Sequence, residues 1–86
     1  MKEASVRINN KIGIHARPAA LLVSEAGKFK SSITIKKGQR EADLKSIMGV
    51  LSLGVFGGEE VIIRTNGTDE EKALNTIIEI LSKLED

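Results

Sequence analysis

The 86-residue chain is long enough for one domain with one hydrophobic core, and we expect that domain to span residues 1–86. A net charge of +1 and only two aromatic residues argue against nucleic-acid binding, and the absence of cysteine excludes disulfides and thiolate chemistry. A single histidine argues against a metal site, and no apolar run reaches the ~20 residues that cross a bilayer, so we expect a cytoplasmic protein that needs no metal or cofactor.

The first half of the chain is predicted to contain a strand, a helix and a hairpin. Apolar residues alternate over residues 3–9, which is the period of a strand with one buried face. A helix is predicted over residues 16–27, because a proline suits its first turn, apolar residues recur at helical spacing and a glycine follows. Alternation around Ile33, a turn at Lys37-Gly38 and the charged segment 40–44 predict a hairpin.

The second half is predicted to add a helix, a strand and a final helix. Ser46 is expected to cap a short helix whose core-facing residues would be Ile47, Val50 and Leu51. A β-branched run at residues 61–63, ending at Asn66-Gly67, predicts the fourth strand. Residues 68–71 have the pattern of a capping box. The last helix then presents a core stripe formed by Ala73, Leu74, Ile77, Ile78, Leu81 and Leu84.

The predicted elements follow one another in the order βαββαβα. Each helix has one apolar face, and the clearest strands alternate apolar and polar residues. This pattern is typical of an α+β fold with helices on one side of a sheet. We therefore predict an open-faced β-sandwich, in which three helices cover one face of a four-stranded, mainly antiparallel sheet.

The single histidine, His15, lies where the first helix is predicted to begin, in the run Gly13-Ile14-His15-Ala16-Arg17-Pro18-Ala19. Unpaired backbone N–H groups and the helix dipole attract anions at such a place, and Arg17 adds a permanent cation. These parts favour attack by a neutral imidazole nitrogen on phosphorus, with no general base required. A carrier must release its phosphoryl group, so His15 should be exposed in a shallow site. Two alternatives stay open, a solvated histidine without a chemical role and an anion-binding helix start that needs Arg17 alone.

Ser46 lies in the run Leu44-Lys45-Ser46-Ile47-Met48-Gly49-Val50-Leu51, and its simplest role is that of a helix cap. Phosphate at a helix N-terminus is stabilised by the dipole, so phosphorylation there should leave the fold intact and act on partners. The spacing also predicts that Met48 faces solvent and that the first helix exposes small residues beside His15. The two helices are therefore predicted to form a docking face, with the candidate residues Ala16, Ala20, Ser24, Gly27, Ile47, Met48 and Leu51.

The two runs resemble the signatures of the HPr family, the histidine-containing phosphocarriers of the bacterial phosphoenolpyruvate:sugar phosphotransferase system. Residues 13–19 are similar to the active-site signature, and residues 45–54 to the regulatory-serine region of the Gram-positive type. The resemblance covers essentially the whole chain. Two positions depart from the family pattern: Ile12 replaces a small polar residue, and Lys37-Gly38 replaces an Asn-Gly turn.

The resemblance implies a set of partners. His15 would receive a phosphoryl group on Nδ1 from phosphorylated enzyme I and pass it to the IIA domains of sugar permeases, assisted by Arg17. Ser46 would be phosphorylated by an ATP-dependent HPr kinase/phosphorylase, which slows transfer from enzyme I and favours binding to a catabolite-control transcription regulator. The protein would then be a phosphoryl carrier and no independent enzyme. We expect a monomer, because a carrier must expose its docking face.

Two other functions remain open at this stage. One is a regulatory relative that accepts phosphate at His15 in a relay linked to nitrogen or general metabolism. The other is a non-catalytic small-ligand or interaction module on a similar scaffold, in which His15 is incidental. The run around Ser46 favours a sugar-uptake carrier over the regulatory relative.

Overall fold

A computed structural model describes residues 1–85 and contains four strands and three helices in the predicted order. The elements are β1 (Lys2–Arg7), α1 (Ala16–Ala26), β2 (Ser32–Lys37), β3 (Arg40–Asp43), α2 (Ile47–Leu53), β4 (Glu60–Asn66) and α3 (Glu70–Ser82). No helix within residues 1–85 is long and apolar enough to cross a membrane.

The sheet has the strand order β1-β4-β2-β3, and every neighbouring pair is antiparallel. Val61 and Ile63 of β4 are buried, while the residues between and beside them are accessible, so one face of the sheet meets the helices and the other meets solvent. On the solvent face, Arg64 of β4 pairs with Glu3 of β1 at 2.8 Å. The predicted open-faced α+β fold is confirmed.

Each of the three helices buries one face in the common core. Leu22 of α1 and Ile77 of α3 are fully buried, as their helical spacing predicts. On α2 the prediction is partly wrong, because Ile47 and Leu51 are 39% and 36% exposed while Val50 is buried. The buried residues of this seven-residue helix are Val50 and Leu53, which lie three positions apart on one face. Ile47 and Leu51 therefore add apolar surface on the solvent side.

The helix starts differ in how they are capped. The predicted cap of α2 is confirmed, since Ser46 Oγ accepts a hydrogen bond from the Gly49 N–H at 3.1 Å. The predicted capping box of α3 is wrong, because Asp69 directly precedes the helix and its carboxylate binds residues distant in sequence. It accepts hydrogen bonds from the backbone N–H groups of Lys30 and Ser31, both at 2.9 Å. The side chain thus joins the start of α3 to the chain that enters β2.

Candidate functional site

His15 is the residue that directly precedes α1, and its backbone is held on both sides. On the N-terminal side, Ile14 N–H donates to the Val55 carbonyl at 3.0 Å. On the C-terminal side, the His15 carbonyl accepts the hydrogen bond of Ala19 N–H at 2.9 Å, which opens the helix. The His15 side chain makes no capping hydrogen bond to α1. Its ring is therefore available for chemistry while its main chain is fixed.

The imidazole of His15 is half-buried, in contrast to the exposed ring that the sequence predicts. Nε2 is turned inward, with almost no contact with solvent and no hydrogen-bond partner within residues 1–85. In a neutral imidazole one nitrogen carries the proton and the other a lone pair. Since Nε2 has almost no contact with solvent, Nδ1 is the nitrogen that remains for a reaction with a second protein.

Arg17 lies on the first turn of α1 and is exposed. Together with His15 it lines an open groove of about 650 Å³ between the start of α1 and the end of α3, whose apolar wall includes Leu21 and Ile80. The structure thus brings the predicted nucleophile and the predicted cation to one surface depression. Because the first N–H groups of α1 have no partner within the helix, this depression also has a positive dipole end beside it.

Ser46 lies at the start of α2, which packs against α1. The Ser46 hydroxyl accepts the capping hydrogen bond from Gly49. Ser46 lies close to the backbone of residue 49, where a Cβ added to the glycine would be 3.3 Å from Ser46 Oγ. The neighbouring Lys45 donates from Nζ to the Phe29 carbonyl at 2.8 Å. Ser46 is half-buried and Met48, two residues on, is 72% exposed. The second predicted site therefore lies at the edge of an accessible helix surface.

The predicted docking residues are all accessible to solvent. On α1 and just after it, this holds for Ala16, Ala20, Ser24 and Gly27. On α2 it holds for Ile47, Met48 and Leu51. Leu21 of α1, 50% exposed, was missed, although its position four residues after Arg17 places it on the same helix face. Ile12, 51% exposed, adds apolar surface on the loop before His15.

Lys37, which departs from the family pattern, connects β2 to the segment before β4. Its Nζ lies 3.0 Å from Glu59 Oε1 and 5.2 Å from the centre of the Phe56 ring, and it donates to the Gly54 carbonyl. Glu59 also accepts from the Phe56 N–H at 2.6 Å, and this bond, followed by the one from Lys37, lowers the pKa of the Glu59 carboxyl. No local sequence signal indicated this contact, because its partners lie 17 or more positions away.

Comparison with known proteins assigns the chain to a family. The family model of the PTS HPr component phosphorylation site matches residues 2–83. The phosphocarrier protein HPr of Mycoplasma pneumoniae is 42% identical over 84 residues, which cover 96% of each chain. The chain belongs to the HPr family. The resemblance inferred from the runs around His15 and Ser46 is thereby confirmed, and with it the link to the phosphotransferase system.

Solved structures of HPr proteins have the same fold. The crystal structure of HPr from Thermoanaerobacter tengcongensis has a TM-score of 0.92 and 45% identity, with 95% of this chain and 92% of that chain covered. Crh, the catabolite repression HPr of Bacillus subtilis, has a TM-score of 0.79 and 38% identity, with 96% and 95% covered. Crh was solved as an intertwined dimer with a swapped domain. The family thus includes a member connected with catabolite repression.

Proposed function

We propose that the chain is a cytoplasmic phosphocarrier of the sugar phosphotransferase system, formed by a single domain over residues 1–86. It accepts a phosphoryl group on His15 from phosphorylated enzyme I and donates it to IIA domains of sugar permeases. The observation that carries the proposal is the placement of His15, whose Nε2 is buried and which lines an open groove together with Arg17. Membership of the HPr family supports the same chemistry.

The chemistry needs a nucleophile and a means of offsetting charge. The lone pair of Nδ1 attacks phosphorus, an N–P bond forms, and the bond from phosphorus to the donor breaks with its electron pair leaving on the donor. Arg17 and the first N–H groups of α1 offset negative charge on the transferred oxygens. The open groove holds the phosphoryl group at the surface, so a second protein can remove it. Each cycle returns the chain to its starting state as a carrier.

The proposal is tested by incubating the protein with phosphoenolpyruvate and enzyme I. Acid-labile phosphohistidine should form on the wild type and be absent from His15→Ala. Ser5→Ala, an exposed change on the opposite face of the sheet, is the control and should be labelled normally. No label on the wild type would exclude the carrier function, and normal labelling of His15→Ala would move the reaction to another residue.

We further propose that Ser46 is the regulatory phosphorylation site, modified by an HPr kinase/phosphorylase and then read by a catabolite-control transcription regulator. The hydroxyl already accepts from the N–H of Gly49, so a phosphate there keeps a donor and the favourable end of the helix dipole. The added charge lies next to the exposed α2 surface and changes the charge that a docking partner meets. Ser46→Asp should keep the fold, since aspartate caps as well as serine.

The test of this regulation compares Ser46→Asp with Ser52→Asp. Ser52 is exposed and near the other end of α2, so its substitution adds the same charge to the same helix. The rate of phosphoryl transfer from enzyme I should fall for Ser46→Asp and remain normal for Ser52→Asp. A normal rate in Ser46→Asp removes the regulatory claim.

The partners are proposed to bind the exposed face of α1 and α2 that contains Ala16, Ala20, Ser24, Gly27, Ile47, Met48 and Leu51. Apolar side chains on this face, such as Met48, have no partner in the core, and the face adjoins His15. Met48→Asp should therefore lower the transfer rate. Ser5→Asp on the opposite face of the sheet adds the same charge and should leave the rate unchanged. Equal rates in both variants would refute this docking face.

We propose that the working carrier is a monomer, because a partner must reach His15 and the exposed face of α2. The intertwined dimer of Crh shows that a relative can exchange part of its chain. Light scattering during size-exclusion chromatography should give the mass of one chain at the concentrations used for transfer assays. A dimer that is labelled as fast as the monomer would contradict this proposal.

A further inference from the structure

Asn10 lies in the loop between β1 and α1 and is only 9% exposed although its side chain is polar. Its Nδ2 donates to the Gly13 carbonyl at 3.0 Å. Its Oδ1 is buried and has no hydrogen-bond partner within residues 1–85. A buried acceptor without a donor is destabilising. The buried Oδ1 of Asn10 therefore destabilises the folded protein. Its amide Nδ2, in contrast, makes one hydrogen bond, to the Gly13 carbonyl.

The loop that contains Asn10 is held at both ends by the backbone of the segment before β4. Ile8 N–H donates to the Glu59 carbonyl at 2.8 Å, and Ile14 N–H to the Val55 carbonyl at 3.0 Å. In the middle, Gly57 lies so close that an added Cβ would overlap the Asn10 carbonyl. The loop thus rests on a rigid backbone surface, and the Asn10 amide closes it across three residues.

The hydrogen bond from Asn10 acts on the peptide unit between Gly13 and Ile14, one residue before His15. Gly13 has a φ of +91°, and its carbonyl belongs to the peptide unit whose N–H, on Ile14, binds Val55. The peptide unit between Gly13 and Ile14 is thus held at both of its polar atoms. The Asn10 amide binds its oxygen, and the Val55 carbonyl binds its N–H. Rotation of that unit would move Ile14 and, through it, the next residue, which is His15. Nε2 of His15 is the other buried and unpartnered side-chain atom within residues 1–85.

We infer that Asn10 is a positioning residue for His15, acting through the Gly13 carbonyl. The inference rests on the proposed phosphoryl transfer at His15. Asn10 is buried and lies outside the proposed docking face, so it should influence the chemical step more than the binding of partners. A misplaced nucleophile loses rate steeply with small displacements. Removal of the amide donor should therefore lower kcat for transfer from phosphorylated enzyme I by roughly tenfold or more, with little change in KM.

The experiment uses two variants that lack the donor, Asn10→Leu and Asn10→Asp. The first is neutral and of similar volume, and the second is isosteric and charged, so a loss shared by both is assigned to the donor. Asn9→Leu and Asn9→Asp are the matched controls, because Asn9 is the exposed neighbour. Transfer kinetics are measured together with the nitrogen chemical shifts of the His15 ring, which report its tautomer and surroundings. Circular dichroism establishes which variants are folded.

The expected result is a lowered kcat and shifted His15 ring signals in the folded Asn10 variants, with wild-type behaviour in the Asn9 variants. A kcat within about twofold of wild type, or an effect on KM alone, overturns the inference. An equal loss in the Asn9 variants overturns it as well. If the wild type itself is not labelled at His15, the proposed function fails. The nitrogen shifts of the His15 ring still test the positioning role of Asn10 in that case. Unchanged shifts in the Asn10 variants would refute this role.

Discussion

Replacement of Gly13 by alanine should destabilise the protein more than the same change at Gly38, where the added Cβ meets open space. Gly13 has a φ of +91°, a conformation that residues with a Cβ rarely adopt. The new Cβ would also overlap the Val55 carbonyl oxygen and lie 2.6 Å from the Phe56 Cα. The conformational strain costs about 1–2 kcal/mol and the overlap about 1–3 kcal/mol. Together they lower the free energy of unfolding by roughly 2–5 kcal/mol.

Gly38→Ala measures the conformational strain alone, so its comparison with Gly13→Ala isolates the cost of the overlap. Gly38 has a φ of +59° in the β2–β3 turn, but no atom lies within 4 Å of its added Cβ. It should therefore lose only the strain, about 1–2 kcal/mol. Both substitutions restrict the unfolded chain equally, so that effect cancels in the comparison. Urea unfolding of both variants measures the difference, which we expect to be about 1–3 kcal/mol. Equal losses would show that the loop before His15 can move away from the 55–58 segment.

Three further changes test other parts of the structure. Asp69→Asn should destabilise the protein at pH 7, because hydrogen bonds from Ser31 Oγ and the Lys30 and Ser31 N–H groups lower the pKa of Asp69 from 3.8 to about 2. That stabilisation is present above the unfolded pKa and is lost as the pH falls through the folded pKa. Urea unfolding should therefore give the wild type and Asp69→Asn similar free energies of unfolding near pH 2. Ser46→Ala should lower the free energy of unfolding by about 1 kcal/mol through loss of the α2 cap, whereas Ser46→Asp should not. Leu22→Ala, at a fully buried position, should lower it by about 2–5 kcal/mol in the same assay.

Most of the secondary structure could be predicted because its signals are local. The alternation around Ile33 and the helical spacing after Pro18 are read from neighbouring residues, and so is the serine that caps α2. The errors occurred where a residue had two possible roles. Asp69 lies in a run with the pattern of a capping box, yet its carboxylate binds Lys30 and Ser31, which lie almost 40 positions earlier. Spacing within a helix start cannot reveal such a partner.

The candidate site was predicted in its composition but not in its geometry. His15, Arg17 and Ser46 were identified from two short runs, and the exposed small residues of α1 follow from its helical period. The assignment of Ile47 and Leu51 to the core was wrong, because a seven-residue helix can bury only one narrow face. Which residues of α2 occupy that face depends on how it packs against β3 and α1.

The amino-acid sequence by itself determined the order of the elements, the place of His15 at a helix start and the capping serine of α2. Periodicity, glycine, proline and capping chemistry act over a few residues, so they can be recognised in the sequence before the fold is known. Only the tertiary structure decided that Nε2 of His15 is turned inward, that Asn10 closes the preceding loop and that Lys37 reaches Glu59. The orientation of His15 and the contact of Lys37 depend on the segment before β4, which the chain brings beside His15 only when the sheet has formed.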